Sequence, residues 1–123
     1  VDVYYTREDD WIVVDGAVGT VGITDYAQAQ LGAILFIQLP PVGAELVRGH
    51  EAVLIESIKA AADIFSPVSG TVLETNPALE SEPSLVNTAA EGRGWMFRVA
   101  LQDLGELAGL LRRDAYLARV KRM

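Results

Sequence analysis

Short β-branched runs, each stopped by glycine or proline, set the strongest limit on what this chain can fold into. Trp11-Ile12-Val13-Val14 reads as a strand ended by the turn pair Asp15-Gly16. Ala17 to Ile23, rich in valine and glycine, reads as the returning strand, so the two predict a hairpin. Ile34 to Leu39 is another strand, stopped by Pro40-Pro41 and a Val42-Gly43 turn. Ala52 to Ile58, a short run beginning at Ile64-Phe65, Thr71 to Thr75 after Gly70, and Trp95 to Leu101 continue the pattern. Residues 76–93, with Pro77, Pro83, Gly92 and small polar residues, read as loop.

Helical spacing is confined to a few places. Thr24 is a natural cap for a short helix from Asp25 to Leu31, and Gly32 stands where a helix-ending glycine belongs. Leu104, Leu107, Leu110 and Leu111 recur at helical spacing behind a possible cap at Asp103. Asp114 is the expected cap of a last helix carrying Tyr116, Leu117 and Val120, with Arg119, Lys121 and Arg122 near its C-terminus, where cations suit the dipole. The sum is a mainly β chain: a β-sandwich or flattened barrel, with a short helix after the N-terminal strands and helices at the C-terminal end. Residues 1–123 read as one domain, since no repeat, low-complexity tract or linker divides them.

Several classes of function drop out. The apolar runs, such as Ala33 to Ile37, are too short to cross a bilayer, and no basic-apolar leader is legible at the start. There is no cysteine, which removes disulfides, thiolate metal ligands and a cysteine nucleophile, and means that thiol chemistry must come from an attached group. Asp and Glu outnumber Lys and Arg by 17 to 10, for a formal charge of -7, so nucleic-acid phosphates are poor partners. His50, the only histidine, has no ligand cluster around it, so no metal site is expected. Ser57 and Ser69 lack a histidine positioned to activate them, and no polar catalytic cluster appears; the chain does not read as an enzyme. Trp11, Trp95 and the leucines of 104–111 read as core. The expectation is a cytoplasmic, monomeric protein without nucleic-acid or membrane partners.

One residue stands out chemically. Glu56-Ser57-Ile58-Lys59-Ala60-Ala61-Ala62-Asp63 runs out of one strand and, through small residues, into the next. Lys59 therefore falls at a hairpin tip, where its amine is open to acylation. Of ten basic residues only Lys59 and Lys121 are lysine; the rest are arginine, which cannot supply a neutral nucleophilic amine. On composition and placement alone, an ordinary solvated lysine is the simpler account of Lys59.

Spaced matches along nearly the whole chain extend the reading. They are Tyr5-Thr6, Trp11, Val21-Gly22-Ile23-Thr24-Asp25-Tyr26-Ala27-Gln28, Leu31-Gly32, Leu39-Pro40 and Val42-Gly43. Glu56-Ser57-Ile58-Lys59-Ala60 with Asp63, and Ser66-Pro67-Val68-Ser69-Gly70, follow; then come Asn76, Ala78-Leu79, Pro83, Leu85-Val86-Asn87 and Gly94-Trp95. In these the chain resembles the H proteins of the glycine cleavage system. The resemblance implies a lipoyl/biotinyl-type β-sandwich, with Lys59 bearing lipoic acid in amide linkage. It implies a non-catalytic carrier that shuttles the aminomethyl group of glycine among a glycine decarboxylase, an aminomethyltransferase and a dihydrolipoyl dehydrogenase, after loading by a lipoate-attaching enzyme. Asp63 matches an acidic residue that looks toward the cleft where the arm rests, and Asp10 takes the place of a second acidic residue there, one methylene shorter. A turn aspartate bonded to its own backbone is an equally good account of Asp63. Ile58 and Ala60 beside the lysine, rather than methionines, argue against biotin.

The chain departs from the family at three points. Asp9-Asp10-Trp11 stands for His-Glu-Trp, Ala33 for an aspartate, and Thr88 to Arg93 for an Asp-Pro-Tyr-Gly stretch. These changes leave the attachment turn intact but touch places where the family guides its cargo. They keep open a second resemblance, to the lipoate-binding proteins of heterodisulfide-reductase-like sulfur oxidation, in which the arm carries sulfur.

Overall fold

Alternation decides which side of each strand is buried, and two sheets result that face each other across one core. The computed structural model describes residues 1–121. In chain order the elements are β1 (Asp2–Tyr5), β2 (Asp10–Asp15), β3 (Val18–Ile23), α1 (Asp25–Leu31), β4 (Ile34–Gln38), β5 (Glu45–Leu46), β6 (Glu51–Ser57), β7 (Ala61–Phe65), β8 (Gly70–Thr75), α2 (Ala78–Ser81), α3 (Leu85–Ala89), β9 (Phe97–Leu101), a 3-10 segment (Leu104–Gly109) and α4 (Arg113–Lys121). The larger sheet has the order β1-β2-β3-β9-β8-β5 and the smaller β4-β6-β7. All named pairings are antiparallel, and the whole is a flattened β-sandwich without barrel closure.

Ile12, Val21, Ile23, Val72, Phe97 and Val99 of the larger sheet meet Ile34, Ile37, Val53 and Ile55 of the smaller, with Leu79 and Val86 from α2 and α3 closing one end. Each is almost fully buried, and burying a side chain of this size contributes about 1.5 to 3 kcal/mol. Gly22 on β3 is required by a close approach: a Cβ there would stand 2.7 Å from the ring of Trp11 on the facing strand. Trp11 is buried, and its indole N–H donates to the Ala90 carbonyl at 2.9 Å.

The hairpin of β2 and β3, the capped α1, and strands β4, β6, β8 and β9 lie where the sequence places them, within a residue or two at each end. Five readings need correction. The strand read as beginning at Ile64-Phe65 is β7, which starts three residues earlier at Ala61 and ends at Phe65, because it pairs back along β6 straight out of the turn. Residues 76–93 are not all loop: α2 and α3 occupy part of them, too short for periodicity to show. The leucines after Asp103 form a 3-10 segment and not an α-helix; Asp103 does cap it, accepting from the Gly105 N–H, but Leu104 is 54% exposed. Asp114 lies inside the first turn of α4 and is not its cap. Trp95 is only half-buried, its outer face covered by the Arg98 guanidinium 4.3 Å away. Strands β1 and β5 had no sequence reading. Arg122, expected near the end of the last helix, lies outside the described residues.

Strand β1 is held by α4. The rings of Tyr5 and Tyr116 stack with centroids 4.7 Å apart, and the Arg113 guanidinium donates to the Tyr5 hydroxyl at 2.9 Å. The Tyr116 hydroxyl donates to Asp9 at 3.0 Å and lies 2.6 Å from the Thr24 hydroxyl, which itself accepts the Ala27 N–H at 3.2 Å. Each hydroxyl has one proton, so the chain must run from Ala27 N–H to Thr24, from the Thr24 hydroxyl to Tyr116, and from Tyr116 to the Asp9 carboxylate. It links the cap of α1, helix α4 and the turn between β1 and β2. Burial pushes the Tyr116 phenol well above its ordinary value; the Thr24 hydrogen bond opposes this and the Asp9 carboxylate adds to it. Tyr116→Phe keeps the ring stack and removes the chain's centre, so chemical denaturation should show a loss of about 1 to 2 kcal/mol. Unchanged stability in that variant would mean that the hydroxyl chain holds nothing.

Candidate functional site

The β6–β7 hairpin projects Lys59 outward because its two strands are locked inside. Val53 and Ile55 of β6 point into the core, and the register pairs Glu56 with Ala61, Ile55 with Ala62 and Leu54 with Asp63. Ile58, Lys59 and Ala60 are left to make the turn, and all three are exposed. Ser57 organises it. Its backbone N–H donates to the Ala60 carbonyl at 2.8 Å, its hydroxyl donates to the same carbonyl at 3.1 Å, and that hydroxyl also accepts the N–H groups of Lys59 and Ala60 at 3.3 and 3.2 Å. Small residues and a serine that bonds its own backbone make the loop tight without help from Lys59. Among the described residues no carboxylate lies within ion-pair distance of the Lys59 amine.

The turn is also fastened from outside. The Ile58 N–H donates to the Ala33 carbonyl at 2.9 Å, joining the tip to the junction of α1 and β4. At that junction Gly32 has φ +79°, in the left-handed half of the map that favours glycine. A Cβ on Gly32 would stand 3.4 Å from Lys59 Cε, so the lysine stem lies across bare backbone. Asn87 of α3 holds the junction from below: its Oδ1 accepts the Ile34 N–H, and its Nδ2 donates to Gly32 O and Gln28 Oε1, each at 2.9 Å. Matching the family pattern marked Asn87 as a residue, but its role becomes visible only in these contacts. A bulge in β4 between Ile34 and Phe36 leaves Leu35 and Phe36 both exposed beside the same turn.

The two acidic residues stand apart. Asp63 is exposed on β7 and borders an open hollow of about 380 Å³ with Gln38, Pro41, Glu51 and Leu54. Asp10 is 3% exposed and lines a different hollow of about 200 Å³, with Thr6, Arg48, Phe65, Ser66 and Leu111. Lys59 lines neither hollow. The outer face of β7 connects them: Ala61, Asp63 and Phe65 alternate on it, and Phe65 stands about 13 Å beyond Ala61 at about 3.3 Å per residue. His50 is exposed in its loop. Among the described residues no group of His, Cys, Asp or Glu side chains is placed to hold a metal ion, and no helix is long and apolar enough to cross a membrane.

A family model described as Glycine cleavage H-protein matches residues 3–123. The chain is 50% identical over 114 residues to the glycine cleavage system H protein of Bradyrhizobium diazoefficiens, covering 93% of each. It is 48% identical over 120 residues to the probable glycine cleavage system H protein 1 of Sulfolobus acidocaldarius, covering 98% of this chain and 87% of that one. A crystal structure of a glycine cleavage system H protein from Mycobacterium marinum matches with a TM-score of 0.88 at 32% identity, over 98% of this chain and 97% of that one.

The surroundings of Asp10 move its titration. Burial raises its pKa well above the ordinary carboxylate range, the neighbouring charges of Glu8 and Asp9 raise it further, and the Thr6 hydroxyl, donating at 3.4 Å, opposes them. The folded state therefore holds the proton more tightly than the unfolded chain. The Asp10 contribution to stability is complete below the unfolded value and is lost as pH rises through the folded one. Asp10→Asn keeps an acceptor for Thr6 and carries no charge, so it should be more stable than the parent at pH 7. That advantage should shrink as the pH falls toward about 4. Urea midpoints of both proteins across this range check it, and a pH-independent difference would show that Asp10 does not titrate abnormally.

Proposed function

Because the chain belongs to the glycine cleavage H-protein family, we propose that it is a lipoyl carrier of the glycine cleavage system, acylated on Lys59, that passes the aminomethyl group of glycine between the system's enzymes. The observation that carries the proposal is the attachment turn. Its lysine is exposed and free of ion pairs among the described residues, on backbone fixed by Ser57 and Ala33, in a chain whose other lysine, Lys121, lies on the C-terminal helix α4. A bound lipoyl group would supply the dithiol redox and carrier chemistry that a cysteine-free chain lacks.

This chain's residues would act by presentation and by charge. The hairpin offers the Lys59 amine to a lipoate-attaching enzyme and afterwards offers the arm to a glycine decarboxylase, an aminomethyltransferase and a dihydrolipoyl dehydrogenase. Asp63 is placed to meet a cationic cargo beside β7. Asp10, whose carboxyl burial holds above the usual carboxylate range, would be drawn toward its ionised form by a cation entering its hollow, because an opposite charge within a few ångströms favours the carboxylate. No covalent step falls to the protein itself. The relatives named above carry glycine cleavage names, and they lend no support to the sulfur-carrying alternative.

Intact-mass spectrometry after incubation with lipoate, ATP and a lipoate-attaching enzyme should show one lipoyl increment, mapped to the peptide containing Lys59. Lys59→Arg should fold and show none. Further incubation of the loaded protein with glycine and a glycine decarboxylase should add an aminomethyl increment. Loading on Lys121, or on the Lys59→Arg variant, would defeat the assignment of the lysine. Loading without a glycine-dependent increment, beside a working control carrier, would defeat the assignment of the pathway.

A further inference from the structure

The hydrogen bonds around Asn87 form a connected path to the attachment turn, and that path goes beyond the identification of Lys59 while resting on it. From its partners, the orientation of the Asn87 amide is unambiguous. Oδ1 takes the Ile34 N–H, and the two Nδ2 protons go to Gly32 O and Gln28 Oε1, so reversing the amide would set donor against donor and acceptor against acceptor. All three partners belong to the end of α1 and the start of β4. Between Gly32 and Ile34 lies Ala33, whose carbonyl accepts the Ile58 N–H at 2.9 Å. Ile58 is the residue before Lys59, and the stem of Lys59 runs across Gly32. One side chain thus pins the peptide on both sides of the carbonyl that anchors the turn.

The Ser57 bonds close the turn upon itself but leave its attitude toward the rest of the molecule to the Ile58–Ala33 contact. Asn87 sits on α3, whose Leu85 and Val86 are buried in the main core, so the reference point is rigid. We infer that Asn87 is a positioning residue for Lys59: through Gly32, Ala33 and Ile34 it sets the direction in which the turn delivers the lysine amine to the enzyme that acylates it. The contribution is one of orientation. A turn that swings freely still exposes the amine but spends less time in the attacking geometry.

The test compares Asn87→Ala and Asn87→Asp with Tyr116→Phe, which removes a buried hydroxyl on the far side of α1. Asn87→Asp keeps the acceptor for Ile34 and loses both donations. Lipoylation by a lipoate-attaching enzyme is followed under steady state at temperatures where each variant is fully folded. The Asn87 variants should lose on the order of tenfold in kcat with KM little changed. Tyr116→Phe should be acylated like the parent. Equal rates for Asn87→Ala and the parent, or an equal loss in Tyr116→Phe at matched melting temperature, would overturn the role. If neither Asn87 variant folds, native-state amide exchange of the parent decides: Ile34 and Ile58 should open together, with one free energy, and separate opening would break the proposed linkage. A parent that is never lipoylated counts against Lys59 as the attachment site, whereas the exchange measurement reports on the Asn87 path alone.

Discussion

The pairing register of β6 with β7 is the constraint on which the site depends. Val53 and Ile55 can be buried only if β6 presents its odd-numbered residues inward, and a slip of one position would turn the whole set to solvent. With that register imposed, Glu56 and Ala61 are the last pair of the ladder and the turn can contain nothing but the residues around Lys59. The core, in which Ile12, Phe97 and Val99 of the opposite sheet meet β6, therefore determines where the lysine emerges, although none of those residues approaches it. An exposed side chain is placed by buried ones.

The second requirement is that the hairpin tip keep a fixed relation to its surroundings, and here polar contacts take over from apolar ones. Helix α1 is short and none of its residues is buried, so packing alone would hold it weakly. It is fastened at both ends instead. At its start Thr24 caps the Ala27 N–H and Glu91 accepts the Asp25 N–H at 2.8 Å; at its end Asn87 holds Gln28 and Gly32. A capping contact of this kind contributes about 0.5 to 2 kcal/mol, enough to decide whether a marginal helix stays formed. The helix serves as a spacer whose far end, through Ala33, meets the turn that carries Lys59.

These two kinds of interaction differ in how far they can be read from sequence. The β-branched runs and the glycine and proline stops between them are local, and so the hairpin, the capped α1 and the position of Lys59 are legible from residues alone. The 3-10 segment was misread because leucines at 104, 107, 110 and 111 satisfy both periods at short length. Helices α2 and α3 were missed because stretches of four or five residues carry no usable period. Strand β1 pairs along β2 and also stacks Tyr5 on Tyr116, a contact between the two ends of the chain that no local pattern contains. Asn87 could be matched to the family, yet its purpose depends on contacts with residues more than fifty positions away. The resemblance supplied Asp63 and Asp10 as a pair, whereas the structure puts them in separate hollows and gives them opposite degrees of burial.

The departures from the family pattern acquire meaning in the same contacts. Asp9 stands where the pattern has histidine, and here it adopts φ +70° and accepts the Tyr116 hydroxyl. A short acidic side chain suits both demands, because aspartate tolerates the left-handed region better than most residues and offers only acceptors to a phenol that must donate. Residues 88–93, which replace Asp-Pro-Tyr-Gly, include the Ala90 carbonyl that receives Trp11 and the Glu91 carboxylate that caps α1. Ala33, in place of an aspartate, contributes only its carbonyl, and that is the atom the Ile58 amide uses. Of these positions only Ala33 touches the turn that carries Lys59, while Asp9, Ala90 and Glu91 fasten α4, β2 and the start of α1. The mismatched residues are therefore not idle: each makes a contact that holds one element of this fold to another.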